Sequence, residues 1–322
     1  MAAPQYDPFV RGPFAVQERS IDAFDAERNR LFPCQVWNPD VAAGSRRRPL
    51  IVFSHYSGGS RRSSTFLCTH LASHGYVVAA LDHSEVVAEE LQRREGETPL
   101  ERLARIDAII ASRVPDIRFL LDILLGHGKQ VNALPDIAIG EPIGLVGHSF
   151  GGWTVLATPD VDPRVGSLVA MAPGGGGQNR PGILPLRLSF DWGRDVPTLY
   201  LAAENDTPIP LADVRVLFDR TPASRRMFVL RRADHQHFVD EVEAEHEAMR
   251  TLPYPAEAAW IPAGMRPIRE LSSGEQAHLF ARGLALAHLD ATLRQVEVAD
   301  QFLNGDVEAE LAARGVDAFA IR

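Results

Sequence analysis

A serine between two glycines is the most reactive arrangement in this sequence. Residues 144–155 read GLVGHSFGGWTV, in which Gly147, Ser149 and Gly151 form the pattern G-x-S-x-G. When such a pattern joins a buried strand to a helix, the serine occupies a tight turn in a strained backbone conformation, and the flanking glycines let strand and helix approach. Apolar residues precede the pattern and a helix-compatible segment follows it. The sequence therefore predicts an exposed, nucleophilic Ser149 at a helix N-terminus.

A serine nucleophile requires a base, and the base requires an acid that orients it. The apolar run VPTLYLAAENDTPIP supplies Asp206 as the predicted acid, with Glu204 as the first alternative and Asp240 as the second. The segment RRADHQHFVD supplies His235 as the predicted base, with His237 as the alternative. Two histidines without a nearby carboxylate or cysteine ligand make a poor metal site, so we predict no metal.

The charge that develops on a substrate carbonyl oxygen needs backbone donors. We predict one donor at the N–H of Phe150, directly after the serine. The second is expected in the loop HYSGG after an apolar run, at the N–H of Ser57, with Tyr56 as the alternative. Tyr56, His148 and Trp153 are predicted to contact the substrate.

Short apolar runs that alternate with helical segments must position these residues. We predict core strands at 48–55, 76–83, 142–147, 165–172, 196–203 and 225–232, preceded by an antiparallel hairpin formed by FAVQERSIDAF and NRLFPCQVWNP. Helices are predicted at 62–74, 99–126, 149–157, 210–220, 272–294 and 296–314. This alternation predicts one α/β domain over residues 1–322, with a mostly parallel central sheet and helices on both faces.

Three segments depart from the alternation. The stretches near 174–195 and 239–271 are irregular, and we expect them to be insertions that shape a pocket, with a mobile surface loop as the alternative for 239–271. The charged region 84–115 is predicted to form a solvated helix pair, with the apolar stripe Leu103, Ile106, Ile109 and Ile110 turned inward.

Composition narrows the class of protein. The 322 residues are 45% apolar and carry a formal charge of −9, without a basic face that would favour nucleic acid. No segment has the ~20 apolar residues of a membrane span, and the N-terminus does not resemble a signal peptide, so we predict a cytoplasmic protein, although removal of a signal peptide would leave no trace. Cys34 and Cys68 are interpreted as buried thiols, with a single disulfide as the alternative. No cofactor is predicted.

The motifs resemble known families. LIVFSHYSGGSRRSSTFLCTHLASHGYVVAALDH and GLVGHSFGG resemble the platelet-activating-factor acetylhydrolase group and its dienelactone-hydrolase-like bacterial relatives, whereas VPTLYLAAENDTPIP and RRADHQHF resemble bacterial cutinases, which hydrolyse polyesters. The likeness covers about residues 30 to 240. It implies a serine esterase of the α/β-hydrolase fold, with Ser149, Asp206 and His235 as its catalytic residues and Ser57 and Phe150 as oxyanion donors.

The sequence also departs from these families. Tyr56 stands where they usually have glycine in the oxyanion loop. The acetylhydrolase group carries its acid after the strand that corresponds to 165–172, where this chain has Ala172-Pro173-Gly174. The cutinase branch has a tryptophan after the same strand, and Gly174 to Gly177 take its place here. These departures weigh against a simple transfer of lipid or polyester activity.

The residues together predict a carboxylic-ester hydrolase that forms an acyl-enzyme with small to medium esters. The predicted binding partner of the protein is this small-molecule ester substrate. Four alternatives remain: a lactone or dienelactone hydrolase, a cutinase-like polyester hydrolase, a cofactor-free peroxidase that uses the same residues, and a non-catalytic binding protein.

Overall fold

A nine-stranded sheet is the central element of the protein. The computed structural model describes residues 6–41, 46–126, 134 and 137–322. The strands, in chain order, are β1 (Val16–Asp25), β2 (Arg30–Pro39), β3 (Arg48–Ser54), β4 (Val77–Leu81), β5 (Ile139–His148), β6 (Val165–Met171), β7 (Thr198–Ala203), β8 (Arg225–Leu230) and β9 (Ala318–Ile321).

The sheet is parallel in its centre and antiparallel at its edges. Its strand order is β1-β2-β4-β3-β5-β6-β7-β8-β9. Strands β3 to β8 pair in parallel, whereas the β1–β2 hairpin joins β4 antiparallel and β9 joins β8 antiparallel. The mostly parallel sheet and the leading hairpin are therefore confirmed. Because parallel strands end at the same edge, the loops after β3, β5, β7 and β8 meet there.

Helices cover both faces of the sheet, as predicted. They are α1 (Thr65–Ser73), α2 (Ser84–Val87), α3 (Pro99–Leu125), α4 (Phe150–Ala157), α5 (Leu211–Arg220), α6 (Val242–Thr251), α7 (Trp260–Gly264), α8 (Gly274–Leu293), α9 (Glu297–Asn304) and α10 (Val307–Ala312). One hydrophobic core joins the sheet to α3, α4 and α5. A second core joins the opposite face to α1, α8, α9 and α10.

The two cysteines lie in different cores. Cys34 on β2 and Cys68 on α1 are both buried and unpaired, and the sheet separates them. The interpretation as buried thiols is confirmed, and the alternative disulfide is excluded by this geometry.

The region 84–115 differs from its prediction. Instead of a helix pair it contains the single turn α2, a short 3₁₀ turn and the beginning of the long helix α3. Leu103 is 52% exposed, whereas Ile109 is 8% exposed, because α3 is buried only from Ile109 onward. The inward stripe is therefore wrong at Leu103.

Three elements were not predicted and one is divided. Strand β9 is short, and helices α6 and α7 lie within the segment 239–271 that was expected to be irregular. The predicted last helix breaks into α9 and α10 at Gly305 and Asp306, where the Asp306 carboxylate accepts the N–H of Ala309 and caps α10. Across the described ranges, no helix combines the length and the apolar content that a bilayer span requires.

Candidate active site

Ser149 occupies the turn between β5 and α4. Its backbone angles are φ 58° and ψ −113°, a positive-φ conformation that residues other than glycine rarely adopt. Neighbouring backbone holds this conformation: the Ser149 N–H donates to the carbonyl of Met171 at 2.9 Å, and its own carbonyl accepts the N–H of Trp153 at 3.0 Å. The serine side chain therefore stands at the carboxyl edge of the sheet.

The two glycines around Ser149 are required by close backbone contacts. A Cβ atom at Gly147 would lie 2.2 Å from the carbonyl oxygen of Gly151. A Cβ atom at Gly151 would lie 1.9 Å from the carbonyl oxygen of Ser54 at the end of β3. Real side chains do not approach this closely, so the G-x-S-x-G spacing follows from the packing of α4 against β5 and β3.

A chain of hydrogen bonds links Ser149, His235 and Asp206. His235 Nε2 and Ser149 Oγ are 2.8 Å apart, and His235 Nδ1 donates to Asp206 Oδ2 at 2.8 Å. Asp206 follows β7 and His235 follows β8, so neighbouring strand ends bring the two side chains together. The other carboxylate oxygen of Asp206 accepts the N–H of Ile209 at 2.7 Å, which fixes the direction of the acid.

Burial and charge set the protonation of this pair. The side chains of Asp206 and His235 are 1% and 7% exposed. Burial raises the pKa of Asp206, and the adjacent His235 opposes that rise. Burial also disfavours the imidazolium form of His235, but the Asp206 charge and hydrogen bond outweigh it and raise the pKa of His235 above 6.5. A neutral imidazole in this position can accept the Ser149 proton and become an imidazolium that Asp206 stabilises.

Asp234 joins the loops that carry the acid and the base, and sequence reasoning missed it. Its fully buried Oδ1 accepts the N–H of Thr207 at 2.9 Å and the N–H of His235 at 2.7 Å. Thr207 follows Asp206 directly, so this one carboxylate holds the two loops in register. The Asp-His dipeptide at 234–235 was the available signal, because an aspartate that begins a helical turn commonly binds backbone N–H groups.

The alternative acids and base are occupied elsewhere. Glu204 pairs with Arg231 at 3.1 Å and accepts the N–H of Arg232, while Asp240 accepts two N–H groups at the start of α1. His237 Nε2 lies 3.0 Å from the carbonyl oxygen of Ser272, and burial lowers its pKa to about 4. In the described part of the chain, no three His, Cys, Asp or Glu side chains converge as a metal would require.

A cavity of about 400 Å³ opens above Ser149. Ser57, Phe150 and Tyr56 line it beside Ser149 and His235. The segments 174–195 and 239–271 supply much of its apolar wall, which includes Ile183, Leu184, Leu186, Met249, Leu252 and Ile261. Of the described lining residues, Glu245 is the single Asp, Glu, Lys or Arg. The cavity therefore suits a substrate that is mainly apolar and has no negative charge.

The structure corrects two predicted substrate contacts. His148 is fully buried and does not line the cavity, because its Nε2 donates to the carbonyl oxygen of His235 at 2.9 Å. Trp153 is 7% exposed, and its indole N–H donates to the carbonyl oxygen of Arg187 behind the cavity wall at 2.7 Å. His148 thus supports the loop that carries His235, and Trp153 supports the segment that forms the wall.

Comparison with known sequences agrees with the resemblance to the acetylhydrolase group that the motifs predict. A family model described as platelet-activating factor acetylhydrolase, isoform II, matches residues 28–101. The platelet-activating factor acetylhydrolase of Bos taurus is 27% identical over 247 residues, covering 63% of this chain and 50% of its own. The protein of that name from Canis lupus familiaris is 25% identical over 236 residues, with the same coverage. This chain spans about half the length of these curated relatives, and the matches confirm the predicted resemblance to the acetylhydrolase group.

A solved structure of similar architecture covers almost the whole chain. The ferulic acid esterase from Streptomyces cinnamoneus superposes with a TM-score of 0.61 over 92% of this chain and 93% of its own, at 22% identity. The protein has the α/β-hydrolase fold. In this fold the turn after the fifth strand of the chain, where Ser149 lies, faces the loops after β3, β7 and β8.

The strained turn generates a prediction about stability. Glycine adopts positive φ without the steric cost of a Cβ atom, so Ser149→Gly should unfold at a higher urea concentration than Ser149→Ala, with a free energy of unfolding larger by roughly 1 kcal/mol. Both variants lose the hydroxyl group, and the comparison therefore isolates the backbone. Equal or lower stability of the glycine variant would show that Ser149 is not strained.

Proposed function

We propose that the protein is a carboxylic-ester hydrolase in which Ser149 forms an acyl-enzyme. The observation that carries the proposal is the hydrogen-bonded chain from Ser149 Oγ through His235 to the buried Asp206, at the floor of an apolar cavity. The names of the similar proteins, acetylhydrolase and esterase, support the same reaction class. This chain covers only half of the acetylhydrolases, so their substrate is not transferred to it.

Acylation begins when Ser149 Oγ attacks the carbonyl carbon of the ester. His235 Nε2 takes the hydroxyl proton, and Asp206 stabilises the imidazolium and keeps its Nδ1–H in place. The carbonyl oxygen becomes an oxyanion, which the N–H groups of Phe150 and Ser57 stabilise. His235 then gives its proton to the leaving alcohol, and the acyl group stays on Ser149.

Deacylation repeats these steps with water. His235 takes a proton from the water molecule, which attacks the acyl-enzyme carbonyl, and the same N–H groups stabilise the second oxyanion. Collapse of the intermediate releases the carboxylic acid and returns the proton to Ser149. No other group is required for either half of the reaction.

The cavity favours neutral esters over anionic ones. Its apolar wall would desolvate a substrate carboxylate, and Glu245 would repel it, while the described lining residues include no lysine or arginine to compensate. A lactone that carries a free carboxylate is disfavoured for the same reason. Polyester hydrolysis and peroxidase activity have no separate observation in their favour.

The first test is loss of the nucleophile or the base. Ser149→Ala should lower kcat by about 10⁶ on para-nitrophenyl butanoate. An organophosphonate should label the wild-type enzyme at Ser149, as mass spectrometry of the peptides would reveal. His235→Ala should resemble Ser149→Ala.

His237→Ala is the matched control for the base. Its imidazole contacts the carbonyl oxygen of Ser272 and the backbone N–H of Asp234 and does not reach Ser149, so the variant should keep most of its kcat. Retention of more than a few per cent of activity by Ser149→Ala, or a greater loss from His237→Ala than from His235→Ala, would refute the assignment.

The raised pKa of His235 predicts the pH dependence. Protonated His235 cannot accept the serine proton, so kcat/KM should fall as the pH falls, with an apparent pKa above 6.5. Asp206→Asn removes the charge that favours the imidazolium, so this limb should move to lower pH while kcat drops by about 10⁴. Glu204→Gln serves as the control and should change neither quantity. If the dependence of kcat/KM on pH were unchanged in Asp206→Asn, Asp206 would not be the acid that orients His235.

Charge selectivity can be measured with two acyl groups of similar size. We expect kcat/KM for para-nitrophenyl hemisuccinate to be at least about tenfold below that for para-nitrophenyl pentanoate, because the succinyl carboxylate would be desolvated beside Glu245. In Glu245→Gln, the values of kcat/KM for the two esters should lie closer together than in wild type. Comparable values for the two esters in the wild-type enzyme would contradict the proposed preference for neutral substrates.

A further inference from the structure

A completely buried arginine lies behind the loop that follows β3. Arg113, on α3, is 0% exposed, and its Nη1 donates to the carbonyl oxygen of His55 at 2.7 Å. Its Nη2 donates to the carbonyl oxygen of Tyr56 at 3.3 Å. Glu85 neutralises the guanidinium through a bidentate ion pair, in which Arg113 Nε donates to Glu85 Oε2 at 3.0 Å and Nη2 also contacts Oε1. The cation is therefore paired and bound to two successive carbonyl groups.

These contacts determine where the following N–H groups point. In a trans peptide the carbonyl and the N–H of the next residue point in opposite directions. The carbonyl oxygen of Tyr56 is held inward by Arg113, by His55 Nδ1 at 2.7 Å and by the N–H of Gly59 at 3.0 Å. The N–H of Ser57 belongs to the same peptide and is directed away from Arg113. Ser57 lies on the cavity side of this loop, beside Ser149.

The same guanidinium also supports the residue that carries the other proposed donor. Arg113 Cζ lies 4.0 Å from the centre of the Phe150 ring, a cation–π contact. Phe150 is 2% exposed and begins α4 immediately after Ser149. Arg113 therefore contacts both sides of the predicted oxyanion hole: the backbone that orients the Ser57 N–H and the side chain that anchors Phe150.

A lysine could not reproduce this arrangement. All five N–H groups of Arg113 face acceptors, since the remaining Nη1–H is directed at Ser54 Oγ, 3.4 Å away. A planar guanidinium can bind Glu85, bridge two carbonyl groups and lie over an aromatic ring at once, whereas an ammonium group has three donors and no plane.

Ser54 also begins a second chain of Ser, His and Asp side chains. Its Oγ lies 2.8 Å from His83 Nε2, and His83 Nδ1 lies 3.1 Å from Asp116 Oδ2. All three residues are fully buried, so no substrate can reach this serine. This chain anchors the end of β3 from behind, next to Arg113, and has no access for chemistry of its own.

We propose that Arg113, paired with Glu85, is a positioning residue that aligns the Ser57 and Phe150 N–H groups for oxyanion stabilisation. The proposal rests on the proposed esterase function. Arg113 touches neither the substrate nor the reacting atoms. Its contribution is made in the transition state, because the N–H groups that it aligns bind the oxyanion more strongly than the neutral carbonyl of the substrate.

The test compares Arg113→Lys and Arg113→Met with wild type on para-nitrophenyl butanoate. Removing one oxyanion donor outright costs about 10²–10³ in kcat, so misalignment of the donors should lower kcat by roughly 10- to 100-fold, with KM changed by less than about threefold. Affinity for an alkyl trifluoromethyl ketone, which forms a hemiketal oxyanion with a serine, should fall by a similar factor. Affinity for para-nitrophenyl butyl ether, a neutral analogue that cannot react, should stay near that of wild type.

Arg164→Met is the control for the loss of an arginine that pairs with two carboxylates away from Ser149; the Arg164 side chain is 16% exposed. Arg164 contacts Asp122 at 2.6 Å and Asp162 at 2.8 Å beside the start of β6, at the opposite end of the strands from Ser149. The Arg164→Met variant should unfold at a lower urea concentration than wild type, with kcat unchanged. If Arg113→Met does not fold, Arg113→Lys and the double variant Arg113→Met/Glu85→Gln, which leaves no unpaired buried charge, provide the comparison.

The outcomes separate this inference from the proposed function. Wild-type protein that neither hydrolyses esters nor reacts with an organophosphonate refutes both. Active wild-type enzyme with folded Arg113 variants whose kcat is within about twofold of wild type refutes only the role of Arg113. Equal losses of affinity for the ketone and the ether also refute it, because they would indicate a general distortion of the cavity.

Discussion

The close passage of α4 against the end of β3 determines the geometry around Ser149. The backbone at Gly151 lies so near the carbonyl oxygen of Ser54 that even one Cβ atom would overlap it. This contact forces the chain to turn within a single residue, and Ser149 takes the positive φ. The turn also brings the Phe150 N–H, at the start of α4, next to the loop after β3. The position of the half-buried Ser149 hydroxyl and of the Phe150 N–H is thus a consequence of one backbone contact.

Buried charges hold the loops around this turn. The Asp234 carboxylate accepts the backbone N–H groups of Thr207 and His235. Arg113 donates to two carbonyl groups of the loop after β3. A buried charge is tolerated only when it is paired or fully hydrogen-bonded, so each of these residues constrains several neighbours at once. Loops at the edge of a parallel sheet otherwise have few interactions that limit their movement. Here charged side chains beneath the loops take that role.

The sequence predicts the parts of this molecule that depend on local patterns. Buried parallel strands are continuous apolar runs, and the G-x-S-x-G turn requires its glycines, so the core strands and the place of Ser149 can be inferred from spacing alone. Asp206 and His235 follow because they come directly after such strands. Strand β9 could not be inferred, because four residues at a sheet edge form a pattern too short to distinguish from a loop. Leu103 and Ile109 show another limit: they share a helical stripe, but only tertiary packing decides where α3 leaves the sheet.

Arg113, Asp234 and His148 illustrate why the support of the site was harder to predict than its reactive groups. An arginine within a charged helix looks like a surface residue until the fold places it under the loop after β3. His148, adjacent to the serine, suggests substrate contact, yet its imidazole holds the carbonyl of His235. Such roles depend on residues that are distant in the chain, and nothing in the local sequence indicates them.

The cavity wall has a different origin from the groups beneath it. Most of its apolar residues come from the segments that follow β6 and β8, whereas Ser149, Asp206 and His235 lie on short turns at strand ends. Changes in the length or side chains of the wall segments can therefore accumulate without moving Ser149, Asp206 or His235. In evolutionary terms, the proposed function makes selectivity and reactivity separable traits in this architecture. A lineage can explore new substrates through the wall while the strand-end turns stay under constant selection, and protein engineers can follow the same route.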